Sequence, residues 1–234
     1  MFCRLHQALS MRTDVIIAAA GRGSRMEQSE NKLLLPLGTQ TVLEHTVSIF
    51  ARHPQVARVL VTVSPEDEPR VATLLERFSV HLVRGGATRQ ASVHAALEAL
   101  ERFPEACEWV LVQDGARPFT TPELISRVLE ATQQVGAAIP VVSLNDTIRR
   151  IDGVRMELLD RSVLRAVQTP QGARRQTLWE ASTRALQEQW EVTDDASLIE
   201  RFGGKVAWVE GERSNLKLTT LEDYAFARWK AQSG

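Results

Sequence analysis

Short apolar runs alternate with amphipathic stretches along most of this chain, and the alternation predicts its fold. Four of the runs lie at 15–20, 59–63, 80–83 and 109–112. Each is too short for a globular helix and is typical of a buried parallel strand. The stretches between them place apolar residues at helical spacing, and the first carries a capping box formed by Thr41 and Glu44. The pattern predicts an α/β protein with one doubly wound, mostly parallel sheet.

One segment departs from this alternation. Residues 146–156 are highly charged, and an Asp-Gly pair at 152–153 lies between flanks of alternating character, which predicts a β-hairpin. We expect it to form a projecting arm at about 144–167. The strand predicted just before it, Ala137–Val142, contains Pro140, which favours a sheet edge or a strand end.

After the arm, the pattern of helices and strands returns. A helix is predicted at 176–187, and another begins at Asp194 and Asp195, which lie at the positive end of its dipole. These two aspartates would also suit a metal pair, but helix capping explains them more simply. Asn215–Thr219 is predicted to be a short strand that carries one cation.

Composition restricts the class of protein. A formal net charge of −1 argues against a general nucleic-acid binder, and no segment approaches the apolar length of a membrane span. Cys3 and Cys107 are too few for a zinc site or a disulfide framework, which favours a reducing, cytoplasmic compartment. We expect one domain at 14–234 after an N-terminal extension at 1–13, in which Met11 is an alternative start.

The first apolar run leads into two glycines and two cations. Gly21 and Gly23 let a ligand approach the main chain, and backbone N–H groups in such a loop form an anion cradle. Arg25 and Lys32 add positive charge, so we interpret the stretch as a phosphate-binding loop. The alternative is a tight strand–helix turn with solvated cations. The Walker pattern is absent, and Met26 stands where the dinucleotide-binding motif needs a third small residue.

Two later strands also end in residues suited to a nucleotide, and ligands on Rossmann-like sheets bind beyond such strand ends. The glycine pair 85–86, followed by Arg89 and Ser92, predicts a second phosphate- or base-binding loop; the alternative is a glycine turn with a capping serine. Asp114 follows the fourth run. Beside a triphosphate its carboxylate would suit Mg²⁺, which prefers oxygen ligands; the alternative is a turn residue or a partner of Arg117.

Taken together, these motifs resemble those of one family. The first loop resembles the signature of the sugar-phosphate nucleotidyltransferases, and the order of motifs is similar to that in bacterial 2-C-methyl-D-erythritol 4-phosphate cytidylyltransferases. The similar stretches lie at 19–26 with Lys32, 85–93, 114–118, 146–147, 160–161, 169–171, 193–197 and 215–219. The resemblance implies transfer of CMP from CTP to methylerythritol phosphate with release of pyrophosphate, a role in isoprenoid precursor synthesis, and Mg²⁺ as the cofactor.

The resemblance also implies which residues act. Arg25, Lys32 and Lys217 would be catalytic. Nucleotide contacts would come from Ala19, Ala20, Gly21, Gly23, Gly86, Ala87, Arg89 and Ser92. Substrate contacts would come from Asp114, Arg117, Thr147, Arg161, Thr169 and Lys217, and Asp114 would also be the Mg²⁺ ligand. The arm would reach across a homodimer and bring Thr147 and Arg161 to the other subunit's pocket.

Three alternatives stay open at this point. A ribitol-5-phosphate cytidylyltransferase would share much of the nucleotide-binding half. A NAD(P)-dependent oxidoreductase is disfavoured by Met26 and by the cations Arg25 and Lys32 in the first loop. A sugar-nucleotide sensor would bind CTP without turning it over.

Overall fold

A mostly parallel sheet with helices on both faces forms the body of the protein and confirms the predicted fold class. This computed structural model describes residues 12–21 and 31–232. Its strands are β1 (Thr13–Ala18), β2 (Pro36–Leu37), β3 (Gln40–Thr41), β4 (Val56–Val63), β5 (Val80–Arg84), β6 (Trp109–Asp114), β7 (Ala137–Ser143), β8 (Arg149–Asp152), β9 (Arg155–Leu158), β10 (Arg165–Val167), β11 (Gln171–Arg174) and β12 (Ala207–Glu210). Its α-helices are α1 (Val42–Ala51), α2 (Glu68–Leu75), α3 (Arg89–Leu100), α4 (Pro122–Val135), α5 (Arg175–Gln187), α6 (Asp195–Arg201) and α7 (Leu221–Gln232).

The strand order determines where the loops meet. Strands β6, β1, β4 and β5 are neighbours and run parallel. Antiparallel β11 joins β6 to β7, and β12 pairs with β7 on its other side. Because the four parallel strands end at one edge of the sheet, the loops that follow them lie together there. Gly21, Gly86 and Asp114 all belong to this edge.

The core lies on both faces of the sheet, as a doubly wound fold requires. In β1, Val15 and Ile17 belong to one apolar cluster with residues of α1 and α4, whereas Ile16 belongs to a second cluster with residues of α3, α5 and α6. All three side chains are fully buried, which confirms the predicted buried strand. Each such burial stabilises the fold by about 1.5–3 kcal/mol. The predicted capping box of Thr41 and Glu44 is also present at the start of α1.

The predicted sheet edge at Pro140 is wrong. Strand β7 pairs with β12 on one side and with β11 and then β10 on the other. Pro140 lies where the second partner changes, since β11 pairs as far as Ala138 and β10 begins at Val141. The carbonyl of Pro140 accepts a hydrogen bond from the backbone N–H of Gln168 at 2.8 Å within this gap. The N–H that proline lacks therefore falls at a break in the ladder.

The predicted hairpin is confirmed, but the last predicted strand is not. Strands β8 and β9 form a separate two-stranded sheet whose turn contains Gly153 at φ +58°. The predicted strand Asn215–Thr219 is wrong, because this segment is a loop without a sheet partner among the described residues. Its backbone bonds elsewhere, since the N–H of Leu218 donates to the carbonyl of Ala116 at 2.9 Å. No helix in the described parts is long and apolar enough to cross a membrane.

Candidate active site

A cavity of about 730 Å³ lies at the edge where the parallel strands end. The predicted site residues that line it are Ala20, Gly21, Lys32, Gly86, Ala87, Arg89, Ser92, Asp114 and Lys217. Ala19 is buried beside it, and its backbone N–H donates to the carbonyl of Thr62. Gly23 and Arg25 lie outside the described residues. Residues that follow different strands, and that are far apart in the sequence, therefore line one cavity.

The glycine loop after β5 is closed by Ser92, which is not the cap of the following helix. The Ser92 hydroxyl accepts from the backbone N–H of Gly86 at 3.1 Å and donates to the carbonyl of Thr88 at 2.8 Å, whereas Thr88 itself caps α3. A Cβ on Gly85 would lie 2.4 Å from the Cβ of Ala20 and 2.7 Å from the Ser92 hydroxyl oxygen. The close approach of this loop to the first loop therefore requires glycine at 85.

Lys32 begins a short 3-10 helix, Lys32–Leu34, that is anchored from both sides. The Asn31 side chain accepts from the backbone N–H of Leu33 at 3.1 Å and donates to Asp67 at 2.9 Å, which ties this turn to the loop after β4. Leu33 and Leu34 are buried in the core. These contacts fix the backbone that carries Lys32 at the cavity wall.

Asp114 lies at the end of β6 and is surrounded by three cations. Its Oδ1 is 3.1 Å from Arg89 Nε, and its Oδ2 is 2.8 Å from Lys217 Nζ and 3.6 Å from Arg117 Nε. Burial raises the pKa of Asp114, but the charges of Arg89, Lys217 and Arg117 outweigh it and lower the pKa to about 2. The Asp114 carboxylate is therefore ionised at neutral pH.

Arg89 bridges two carboxylates across the floor of the cavity. Its Nε donates to Asp114 and its Nη2 donates to Asp195 Oδ2 at 2.7 Å. Burial alone would lower the pKa of Arg89, but Asp195 and Asp114 raise it overall. The predicted helix cap at α6 is confirmed, since Asp194 accepts from the backbone N–H of Ser197. Its neighbour Asp195 has a different partner, which sequence analysis did not identify.

Lys217 reaches the cavity from a loop that a buried asparagine holds in place. The Asn215 side chain donates to the carbonyl of Thr169 at 2.8 Å and accepts from the Thr120 hydroxyl at 3.0 Å. Its backbone carbonyl accepts from Arg117 Nη1 at 2.7 Å. Asn215 is fully buried, so its polar groups must find partners inside the protein, and these contacts position the loop.

Two predicted substrate-binding residues lie beneath the cavity rather than on its surface. Arg117 is buried against Asp114 and the loop of Asn215, and its Nε has no hydrogen-bond partner among the described residues. Burial lowers the pKa of Arg117. Thr169 is also buried, and its hydroxyl accepts from the backbone N–H of Asp114 at 3.1 Å. In this structure both residues support Asp114 from behind.

The two predicted residues of the arm do not line the cavity of their own chain. Thr147 and Arg161 are exposed, and Arg161 donates to the backbone carbonyl of Asn145 within the arm. Their side chains are thus available to a ligand or to another subunit.

Sequence analysis missed one side of the cavity. Ser64, Pro65 and Glu66 follow β4 and line it, although only the ends of the neighbouring strands were identified as candidates. The same strand-end rule would have found them, because β4 lies between β1 and β5. Asp194 caps α6 and Asp195 pairs with Arg89, so in this structure the two aspartates act in helix capping and ion pairing, in agreement with the simpler of the two interpretations.

The fold and the cavity are typical of α/β proteins whose ligands bind at the edge of a parallel sheet. The model of the family "2-C-methyl-D-erythritol 4-phosphate cytidylyltransferase" matches residues 13–232, and the chain belongs to this family. It is thus a nucleotidyltransferase, as the motifs predicted. The family model carries the methylerythritol-phosphate name rather than that of a ribitol-phosphate cytidylyltransferase or an oxidoreductase.

Individual relatives agree with this assignment. The chain is 42% identical over 222 residues to 2-C-methyl-D-erythritol 4-phosphate cytidylyltransferase of Geobacillus kaustophilus, an alignment that covers 93% of this chain and 96% of the relative. The crystal structure of the enzyme of that name from Thermus thermophilus has a TM-score of 0.80 at 38% identity and covers 94% of this chain and 99% of its own. The 4-diphosphocytidyl-2C-methyl-D-erythritol synthase of Anaerococcus prevotii has a TM-score of 0.82 at 30% identity, with coverages of 95% and 99%.

Proposed function

We propose that the chain transfers the CMP group of CTP to 2-C-methyl-D-erythritol 4-phosphate and releases pyrophosphate, a step of isoprenoid precursor synthesis. One observation carries this proposal: the glycine loop after β5, Lys32, and the pair of Asp114 and Lys217 all line one cavity at the ends of the parallel strands. Family membership supports the same activity.

The proposed reaction is an in-line substitution at phosphorus. A phosphate oxygen of the substrate forms a bond to the α-phosphorus of CTP, the bond from that phosphorus to the bridging oxygen breaks, and pyrophosphate leaves with the electron pair. Because the nucleophile is already an anion, no general base is needed. The protein must hold two anions close together and stabilise the charge of the transition state.

The cations of the site suit this task. Lys32 would contact the triphosphate from its anchored turn. Arg25, which lies outside the described residues, would add a second positive charge for the triphosphate, as the resemblance implies. Lys217 would contact the substrate phosphate beside Asp114. Ala20, Gly21, Gly86, Ala87 and Ser92 would hold the nucleotide along the cavity wall, with Ala19 behind them. Arg89, Arg117 and Thr169 would act through Asp114, since each is bonded to that residue or lies against it.

We propose that Asp114 holds the divalent cation, Mg²⁺, together with phosphate oxygens of CTP. The donor set suits this ion, because Mg²⁺ takes oxygen ligands and commonly one or two carboxylates plus phosphates. A carboxylate offers about four lone-pair sites, and three contacts to Asp114 occupy them only in part. When bound, the ion would neutralise phosphate charge.

We also propose that the chain is a homodimer in which the arm crosses to the other subunit. In the hairpin, Ile151 pairs with Met156 on the face that also carries Leu158, and these side chains are 71%, 61% and 60% exposed. The opposite face carries a salt bridge between Arg150 and Glu157. An isolated hairpin with an uncovered apolar face is marginal in water, so a second copy of the chain is the occupant that we assign to it.

The direct test of the activity is pyrophosphate release from CTP in the presence of Mg²⁺ and methylerythritol phosphate. We expect turnover with this substrate, and much less with ribitol 5-phosphate. Binding of CTP without any release of pyrophosphate, or preference for ribitol 5-phosphate, would contradict the proposed function.

Subunit mixing tests the arm. Lys32→Ala damages the cavity and leaves the arm intact, whereas Arg161→Ala does the reverse. If the arm serves the other subunit, a mixed dimer contains one complete site, and two nearly inactive proteins regain a substantial fraction of activity. The matched control mixes Lys32→Ala with the double variant, which cannot rebuild any site. Labelled subunits that exchange without return of activity would overturn the crossing arm.

A further inference from the structure

Arg89 is held between two buried carboxylates, and only one of them faces the cavity. Asp114 lines the cavity, whereas Asp195 does not. The Asp195 side chain is 6% exposed and the Arg89 side chain 28% exposed, so the ion pair of Nη2 and Oδ2, at 2.7 Å, is shielded from water on the Asp195 side. Asp195 is thus a second, more deeply buried partner for Arg89, which also contacts Asp114.

The backbone of Asp195 is fixed by a residue of the neighbouring strand. Gln171 of β11 accepts the backbone N–H groups of Asp195 and Ala196 with its Oε1, at 3.0 Å each. Its Nε2 donates to Asp194 Oδ2 at 2.9 Å. Because β11 pairs directly with β6, whose last residue is Asp114, this arrangement holds both carboxylates on one rigid frame.

Arg89 depends on a fixed Asp195 to keep its own side chain in one position. An arginine side chain has many rotamers and loses entropy when it is ordered, so a single contact to Asp114 does not fix its position. The Nε and Nη2 groups form one edge of the guanidinium, and without Asp195 both could bond to Asp114 as a bidentate pair. Such a pair would cover the carboxylate oxygens that Lys217 and a phosphate-bound cation need.

We propose that Asp195 is a positioning residue for the reaction: it holds one edge nitrogen of Arg89, so that Asp114 receives a single hydrogen bond from that arginine. The inference rests on the proposed function, because its consequence is a correctly presented Asp114. The neutral Asp195→Asn variant removes the charge that retains Arg89 and keeps nearly the same shape. We expect it to lower kcat/KM about 10- to 100-fold, the range typical of partners that orient a metal-binding side chain.

A double-mutant cycle separates positioning from a general effect on stability. Arg89→Lys keeps one charge, but its single ammonium lacks the two-nitrogen edge that spans Asp114 and Asp195. We expect this variant to lose activity in the same range, and the double variant to lose no more than about threefold beyond the worse single variant. Losses that multiply in the double variant would overturn the inference.

The matched control is a buried ion pair at the other end of β1. Asp14 is fully buried and pairs with Arg58 at 2.9 Å, far from the cavity. Asp14→Asn should lower the melting temperature at least as much as Asp195→Asn and leave kcat/KM of the folded enzyme within twofold of the wild type. A control variant as inactive as Asp195→Asn, or an Asp195→Asn variant that keeps more than half of the wild-type kcat/KM, would refute the positioning role.

Two further measurements apply if Asp195→Asn does not fold or if the wild type shows no activity. If Asp195→Asn does not fold, Arg89→Lys alone decides, and retention of more than half of the activity refutes the proposal. If the wild type shows no cytidylyltransferase activity, the proposed function fails; calorimetric titration with CTP and Mg²⁺ then tests the positioning by itself. About tenfold weaker binding to Asp195→Asn supports it, and unchanged binding refutes it.

Discussion

Replacement of Asp114 by asparagine tests the balance between burial and charge at the centre of the site. Burial opposes ionisation of Asp114, yet its three cations lower its pKa from the ordinary 3.8 to about 2. A carboxylate with a lowered pKa stabilises the fold above its unfolded-state pKa, and this contribution is lost as the pH falls through the folded-state value. The difference between the two pKa values corresponds to about 2 kcal/mol at neutral pH.

Asp114→Asn should therefore reduce the free energy of unfolding by about 2 kcal/mol at pH 7 in the absence of nucleotide and metal. The gap between wild type and variant should narrow to about half by pH 3, because the Asp114 carboxylate of the unfolded chain is then mostly protonated, whereas that of the folded protein is still mostly ionised. Urea unfolding followed by tryptophan fluorescence at several pH values between 7 and 3 measures this gap directly.

Asp152→Asn is the matched control for this experiment. Asp152 is an exposed carboxylate at the end of β8, just before the hairpin turn, and asparagine removes its charge while keeping the size of the side chain. Its unfolding free energy at pH 7 should lie within about 0.5 kcal/mol of the wild-type value, as is usual for an exposed surface substitution. If Asp114→Asn is as stable as the wild type at pH 7, or if the gap is the same at pH 3 and pH 7, the three cations do not hold Asp114 ionised and the charge balance described for the site is wrong.

Two more substitutions examine the walls of the cavity. Lys32→Ala should lower kcat a few hundredfold, or about 3–4 kcal/mol, with little loss of stability, because it removes a proposed transition-state contact; a variant with more than a tenth of the wild-type kcat would remove Lys32 from the catalytic set. Gly85→Ala should destabilise the fold by about 1–3 kcal/mol, since its Cβ would overlap Ala20 and Ser92. Gly21→Ala should not, because no atom of the described residues lies within 4 Å of its new Cβ. Equal melting temperatures for the two glycine variants would contradict the close approach of the loops.

The location of the site could be predicted from sequence, because the end of a strand can be recognised from a short apolar run. Gly86 and Asp114 each follow an apolar run, and parallel strands bring the residues after such runs to one edge. Of the partners of the site residues, only the neighbouring pair of Asp114 and Arg117 was considered from the sequence, and the distant partners could not be predicted in the same way. Arg89 meets Asp195 across 106 positions, and Arg117 meets Asn215 across 98. No local spacing encodes such pairs, and nothing in the sequence indicated that Arg117 would be buried.

The errors in the strand predictions have the same origin. The sequence shows that Pro140 lacks a backbone N–H, but it does not show whether a neighbouring strand needs that group. In the structure β11 and β10, the two partners on one side of β7, leave a gap beside Pro140. The segment Asn215–Thr219 was predicted to be a strand, but it has no sheet partner in the part of the chain that the structure describes. Hydrogen bonds that join the side chain of Asn215 to Thr120 and Thr169 hold it as a loop instead. A buried polar side chain with several partners can thus replace a sheet ladder.

The three cations around Asp114 differ in how far their side chains are exposed to water. The Lys217 side chain is 44% exposed, that of Arg89 28% and that of Arg117 9%. If Lys217 binds the substrate phosphate as proposed, we expect the phosphate to draw it from Asp114 at little cost, because its ammonium is partly exposed and its stem is flexible. Arg117 cannot follow, since it is buried and bonded to the backbone of Asn215. We therefore expect Arg89, held by Asp195, and the buried Arg117 to be the fixed charges that keep Asp114 ionised when Lys217 changes partner. A lysine at 117 could not supply both of the contacts of Arg117.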